Sequence, residues 1–237
     1  MTVEPFRRFY KTVKAGRIVR DHAVLLDGRP LRTPARAMFA PPTMALAEAC
    51  AVEWDAQDEL VRLETMPLTR LVNVAIDFAP RSRAGLVNKV VKTAETDLLC
   101  HRAERPADLV ARQNERWDPL LAWAAEMLEA PLVSAPGVLA HAQPPASLEA
   151  IAARARGMDE FALAGLAHAA GLSGSAVIAF AMAERWLGGG AAFAAGALDD
   201  LYGLEKWGED GEARARLNNL RGEYLALDKF FAALDGA

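Results

Sequence analysis

The chain has 237 residues, 52% of them hydrophobic and 24% charged, with a formal net charge of −4. This length can bury the core of one or two domains, the composition excludes a disordered or fibrous chain, and the negative balance disfavours generic nucleic-acid binding. No apolar run approaches the roughly 20 residues that cross a bilayer, and two cysteines without a CxxC spacing cannot make a disulfide framework.

The charge is unevenly placed. Residues 1–104 carry 16 Lys/Arg against 13 Asp/Glu, and residues 105–237 carry 11 against 18. A mildly basic front and an acidic back suit a two-domain protein that meets a protein partner with one face. The N-terminal stretch MTVEPFRRFYKTV contains Glu4 and no apolar signal core, so neither a secretory signal nor an acid-free transit peptide is read there, and a cytoplasmic location is expected.

The front of the chain reads as β. Residues 6–13, 16–20, 22–26 and 31–33 are short, rich in β-formers, and punctuated by Gly16, Asp27-Gly28 and Pro30. Asp-Gly between extended runs signals a hairpin, with Gly28 supplying the residue at positive φ. So few short strands need a helix across one face. That helix follows Pro41-Pro42 with Thr43 as N-cap, and Leu46, Ala47, Cys50, Ala51 and Trp54 fall on one stripe. A second helix spans Pro67 to Phe78, where Leu68, Leu71, Val72, Ala75 and Ile76 match the helical template and Pro67 suits the first turn. Between the two, LVRLETM reads as one more strand.

Arg81 to Ala94 repeats the helical pattern. The stretch Lys92–Trp123 then carries two of the five tryptophans and Cys100, and reads as a joint between two domains. A helix starts at Ala107 or Asp108, and Pro119 is expected to kink it or restart it with Asp118 as cap. Trp117 packs inward in this reading, while Trp123 is pinned by a turn around Pro119. Residues 131–145 form a Pro/Gly-punctuated loop with a short extended pair. The remainder is helical at about 146–156, 159–171, 173–187, 191–207 and 209–233, with short Gly-bearing connections implying a compact bundle. The fold class is α+β, with a small N-terminal α/β domain over 1–80 and a C-terminal all-helical domain over 81–237.

The search for chemistry yields little. The four histidines lack metal-ligand spacing, so no metal and no cofactor is expected. Cys100 and His101 are adjacent and point apart on any regular element, which disfavours a nucleophile–base dyad. GLSGS at 171–175 misses the nucleophile elbow because Ser175 stands where Gly is required, and a helix N-cap at Ser173 or Ser175 fits better. The Gly188–Gly190 run lacks the Lys-Ser/Thr of a phosphate loop and reads as loop. Acid pairs such as Asp199-Asp200 and Glu209-Asp210 read as solvated faces or helix N-termini. Asp199-Asp200 has a second reading, because Tyr202 and Trp207 stand close by as on a protein-binding surface, but a bundle core with a charged rim shows the same pattern and is the reading the pattern alone favours.

Longer motifs add what patterns do not. RRFYK (7–11), LDGRPLRTPA (26–35), PT.ALA…EWDAQ (42–57), MPLTRLVNVAID (66–77), TDLLCHRAERPADLVARQNERWDPLLAW (96–123) and LDDLYGLEKWGED (198–210) occur in this order. Together they resemble the ATP synthase assembly-factor-2 family, chaperones that hold the alpha subunit of the catalytic sector before it joins the beta subunit. The resemblance implies an N-terminal α/β domain, a C-terminal helical domain, and binding of the alpha subunit without catalysis, in a bacterial relative of mitochondrial matrix proteins. Nucleic acid and membrane insertion are not implied. It carries over Trp54 in the EWD.Q motif, with a structural role, and the acids before the WG motif, Asp199 and Asp200, as partner-binding residues. Trp117 is a further structural or functional candidate. The rival reading is a small-molecule enzyme using a cleft between the domains, with Arg70, Asn73 and Asp77 along one polar helix side. A third is an adaptor retained in the finished synthase.

Overall fold

The computed structural model describes residues 4–137, 141–208 and 211–236. The chain folds into two compact units. Unit 1 comprises Met1–Arg83, Asp159–Gly165 and Lys229–Ala237, and unit 2 comprises Ala84–Met158 and Leu166–Asp228.

Unit 1 opens with β1 (Phe6–Arg7), β2 (Val13–Ile18), β3 (Asp21–Leu26) and β4 (Arg29–Pro30). Strands β2, β3 and β4 form one antiparallel sheet in that order. The β3–β4 turn is Asp27-Gly28, at φ 48° and 77°, flanked by the Leu26–Arg29 pair, so this hairpin is as expected. Three other expectations are corrected. The run 6–13 is extended only at its ends, because the Asp27 carboxylate captures the amide N–H groups of Lys11 and Thr12 at 3.0 and 2.8 Å. Gly16 lies within β2 rather than between strands, since Ile18 pairs with Asp21 and the turn falls at Val19-Arg20. The expected strand 31–33 is replaced by β4 and a single Arg32–Met38 bridge.

Helix α1 (Met44–Asp55) begins at Thr43, whose Oγ1 accepts the Leu46 N–H at 3.1 Å. It packs against β2, β3 and the helix α2 (Pro67–Asp77). Leu46, Ala47, Cys50 and Val72 are fully enclosed there, with Ala51 and Trp54 nearly so. The LVRLETM stretch is a strand only over β5 (Leu60–Val61), antiparallel to β1; a 3-10 turn at Leu63–Thr65 follows. Helix α3 (Ala79–Glu95) is interrupted at Ser82, which leaves helical φ/ψ.

In unit 2, β6 (His101–Arg102) pairs in parallel with β7 (Ala135–Pro136), so the loop 131–145 supplies one strand to a distant partner rather than the extended pair expected within it; its residues 138–140 lie outside the described residues. Between them runs α4 (Ala107–Met127). It passes unbroken through Pro119, and no cap forms at Asp118. Pro119 and Glu115 both lie on the exposed side, so the carbonyl left without an N–H partner faces water. Trp123 is accordingly not held by a turn; it is buried within α4 and stacks on Trp186 at 5.4 Å.

The later helices are α5 (Pro145–Arg156), α6 (Glu160–Ser173), α7 (Ala176–Ala183), α8 (Gly189–Gly196), α9 (Leu198–Trp207) and α10 (Gly211–Leu234). The expected helix 191–207 is two, separated where Ala197 departs from helical geometry. The expected helix 209–233 is described from Gly211, and Glu209 and Asp210 lie outside the described residues. Gly188–Gly190 is not loop: Gly189 opens α8, and a Cβ there would come within 2.7 Å of the Tyr224 carbonyl oxygen on α10. Helix α7 is enclosed on every side from Ala176 to Met182, which explains why its sequence is apolar all round. The stretch 92–123 belongs throughout to unit 2, whose core it organises through Leu99, Trp117 and Leu120.

Candidate functional site

Two groups of side chains carry the chain's polar chemistry. The first is in unit 1, around EWDAQ. Glu53 turns back from α1 and accepts the N–H groups of Leu68 and Thr69, both at 2.8 Å, at the first turn of α2. A carboxylate there satisfies amides that no helical carbonyl can reach and complements the helix dipole. Burial raises its pKa, with the two amide bonds opposing that shift. Gln57, itself buried, accepts the Arg62 N–H at 2.9 Å and donates to the Glu53 carbonyl oxygen at 3.0 Å and to Thr65 Oγ1 at 3.2 Å. Arg8 donates to the backbone carbonyls of Asp55 and Gln57.

Trp54 lies inside this clasp. Its ring meets Tyr10 edge-on at 5.7 Å, and the Tyr10 hydroxyl donates to the Trp54 carbonyl oxygen at 2.7 Å. Its indole nitrogen, enclosed and without an acceptor, offers nothing to solvent. On α2, Asp77 accepts from Thr33 Oγ1 at 2.6 Å and from the Ala35 amide at 3.0 Å, tethering the loop after β4. Asp77 is thereby engaged with that loop, while Asn73, on the same helix, has an enclosed side-chain oxygen without a hydrogen-bond donor.

The second group joins α4 to α9 in unit 2. Arg112 and Glu205 form a two-pronged ion pair with N···O distances of 2.5 and 2.7 Å. Lys206 Nζ lies 2.8 Å from one oxygen of Asp108, and the Tyr202 hydroxyl donates to the other at 2.8 Å. Those two donors hold the Asp108 carboxyl down at about 2. At the start of α9 the two candidate acids separate. Asp199 accepts from Gln113 Nε2 at 2.8 Å, and Gln113, 1% exposed, accepts the Ala103 amide at 2.8 Å. Asp200 pairs instead with Arg216 of α10 at 3.0 Å. A groove of about 920 Å³ runs beside Asp199, bordered also by His101, Arg102, Glu104 and Gln113.

Trp117 is 1% exposed, donates its indole N–H to the Ala195 carbonyl oxygen of α8 at 2.9 Å, and lies 5.3 Å below the Arg102 guanidinium. Arg102 also donates to Leu99 O and Asn114 Oδ1, and pairs with Asp118 at 2.8 Å. The structure therefore places Trp54 in unit 1 and Trp117, Asp199 and Asp200 in unit 2. Of these four, Asp199 bonds across α4 and α9 through Gln113, whereas Trp117 of α4 reaches α8 through Ala195.

Sequence reasoning missed Glu53, Gln57, Gln113 and Asp97. Asp97 is fully enclosed, accepts from the amides of Leu99 (3.1 Å) and Val177 (3.2 Å), and so caps a 3-10 turn and α7 together. Its place before LLC gave a local capping signal; Glu53 and Gln113 bond residues 10 to 86 positions away, and Gln57 bonds an irregular connection that carries no periodic pattern. Ser175, an expected N-cap, accepts the Ile178 amide at 3.1 Å. Both thiols are enclosed, and burial pushes Cys100 up to about 12, so it is no nucleophile at neutral pH. Among the described residues no three His, Cys, Asp or Glu side chains converge to hold a metal, and no helix is long and apolar enough to cross a membrane.

The α+β fold matches that of a class of chaperones of known structure. Residues 7–125 match the ATP12 chaperone protein family. The chain is 27% identical to the mitochondrial protein atp12 of Schizosaccharomyces pombe over 215 residues, covering 86% of this chain and 74% of that one. It superposes on the crystal structure of Atp12 from Paracoccus denitrificans with a TM-score of 0.86 at 36% identity, covering 95% of this chain and 97% of that chain. An aspartate-to-lysine mutant of the Paracoccus denitrificans protein gives a TM-score of 0.87 at 35% identity, with 96% and 97% coverage. The chain belongs to the ATP12 chaperone family.

Proposed function

We propose that this protein is an ATP synthase assembly chaperone that binds the free alpha subunit of the catalytic sector. It holds the subunit against aggregation until the beta subunit replaces it, and does so in the bacterial cytoplasm. The observation that carries this reading is the likeness to Atp12 along nearly the whole chain, at an identity well above what a shared fold alone requires. The engagement of Glu53, Asp77, Asp108 and Asp199 by neighbouring donors supports binding rather than catalysis, since each carboxylate already serves the fold. A newly made subunit exposes apolar surface that its partner later covers, and that surface aggregates unless capped. Release needs only a partner that binds the same surface better.

Asp199 and Asp200 are the proposed contact residues on this chain. Immobilised protein is expected to retain purified alpha subunit and to release it when beta subunit is added. Equal retention of an unrelated unfolded protein, or alpha subunit that beta subunit does not displace, would overturn the reading.

A further inference from the structure

Helix α1 has a face that its packing against β2, β3 and α2 does not use. Glu48, Val52, Asp55 and Ala56 recur there at helical spacing, and all four are exposed. Val52 is 61% exposed in the middle of this stripe, and Leu60 on β5 is 39% exposed nearby. Two hollows, of about 680 and 440 Å³, flank the helix and meet at Val52 and Ala56. The first is bounded by the start of β5 and the second by Val13–Ala15 of β2.

The charge around this floor is one-sided. Asp55 is matched by Arg8 at 3.6 Å and Arg62 by Glu64 at 3.7 Å. Among the described residues no cation pairs with Glu48, Asp58 or Glu59, which leaves three carboxylates against the single ammonium of Lys14. The walls are also held in place. Glu53 is fixed by two amides of α2 and Gln57 by Arg62 and Thr65, so a ligand would find the groove already shaped.

We propose that this groove docks a basic segment of a client polypeptide, with one aliphatic side chain seated on Val52 and flanking Lys or Arg side chains facing Glu48, Asp58 and Glu59. The apolar floor supplies a place for the anchor, and the unmatched carboxylates reject acidic segments and favour basic ones. That the segment comes from a client chain rests on the chaperone reading; the groove's preference for basic over acidic sequence rests on its geometry and charge alone.

Fluorescence anisotropy of the full chain with a labelled twelve-residue Lys/Leu peptide, and with a Glu/Leu peptide of the same pattern, tests this. The Lys/Leu peptide is expected to bind and the Glu/Leu peptide not to. Val52→Ser should weaken binding about fivefold and Glu59→Lys about tenfold, while the exposed Glu126→Lys in unit 2 changes nothing. Circular dichroism on each variant confirms that the fold is retained, since all three positions are exposed. Equal affinity for both peptides would show that charge does not select the segment, and the same loss with Glu126→Lys as with Glu59→Lys would show attraction to net charge alone; either result overturns the groove. Alpha-subunit capture by the wild-type chain is read separately. Its failure with the peptide results as expected removes the client assignment and leaves the groove, whereas intact capture with no peptide preference removes the groove alone.

Discussion

Glu53 Oε2 accepts the amide N–H of Thr69 at 2.8 Å, joining the last turn of α1 to the first turn of α2 across the connection that holds β5 and a 3-10 turn. Pro67 begins α2 and has no N–H to satisfy, so the first donors needing partners are those of Leu68 and Thr69, and Glu53 takes both. The EWDAQ segment thus works as a clasp. Its acid caps the next helix, its tryptophan fills the core, and its glutamine shapes the connection between them.

Glu53→Ala is expected to lower the unfolding free energy by about 2 kcal/mol, because it strands two amide donors at a partly enclosed helix start. Urea denaturation should show a lower midpoint at an unchanged slope. Glu53→Gln, which keeps one acceptor oxygen, should fall between that variant and wild type. A Glu53→Ala variant with the wild-type midpoint would mean that water serves the two amides equally well.

Asp97 makes stability depend on pH in the direction opposite to a surface ion pair. Burial raises its carboxyl to about 6, against an ordinary value of 3.8, while hydrogen bonds from Ser175 and the backbone amides of Leu99, Val177 and Ala176 oppose that rise. Below pH 3.8 the group is protonated in both folded and unfolded chains and costs nothing. Between there and pH 6 the unfolded chain releases its proton first, so the contribution to stability is lost as pH rises through the folded value, by about 3 kcal/mol in full. Asp97→Asn removes this titration. The difference in unfolding free energy between wild type and variant should therefore slope between pH 4 and 6.5 and be flat above pH 7. A difference that stays constant across that window would count against a carboxyl raised by burial.

Trp117 is expected to be a stability residue before it is a binding residue. Trp117→Ala leaves a cavity beneath Arg102 and frees the Ala195 carbonyl, which should cost about 3–5 kcal/mol. Trp117→Phe keeps most of the volume and loses the hydrogen bond, at about 1 kcal/mol. Thermal unfolding followed by near-ultraviolet circular dichroism would rank the two. A Trp117→Ala variant that melts like wild type yet no longer captures alpha subunit would place the residue in the contact surface.

The helices were legible in the sequence wherever an apolar stripe and a cap coincided. Thr43 before Leu46-Ala47 and Pro67 before Leu68 mark their helices within one residue of where they start. Strands were less legible because β1, β4 and β5 are two residues each, too short for a period-2 pattern, and β1 and β5 are set by pairing with each other across more than fifty residues. Pro119 misled for a physical reason: the hydrogen bond it removes is one that water can replace, because Glu115 and Pro119 both lie on the exposed side of α4. The site was legible as a list of residues and not as an arrangement. Asp199 and Asp200 are neighbours in sequence, but a helix sends them to different partners, Gln113 and Arg216, and those partners lie 86 and 16 residues away.

That divergence separates the two acids experimentally. Asp199→Lys breaks the hydrogen bond from the enclosed Gln113, which also anchors Ala103, and places a cation next to a group buried among its own partners. It should lower the melting temperature by several degrees, in line with roughly 1–2 kcal/mol lost in a domain of this size. Asp200→Lys removes only an exposed ion pair to Arg216, worth less than about 1 kcal/mol, and should melt within a degree of wild type. Both are expected to reduce alpha-subunit capture, but for different reasons. Adding salt should narrow the gap between wild type and Asp200→Lys, because an exposed charge contact is screened. It should leave most of the Asp199→Lys defect in place, because that variant loses the Gln113 tether as well as a contact. If Asp200→Lys captures alpha subunit as well as wild type at low salt, the start of α9 serves to hold α4 and α10 in place, and the partner surface lies elsewhere on the chain.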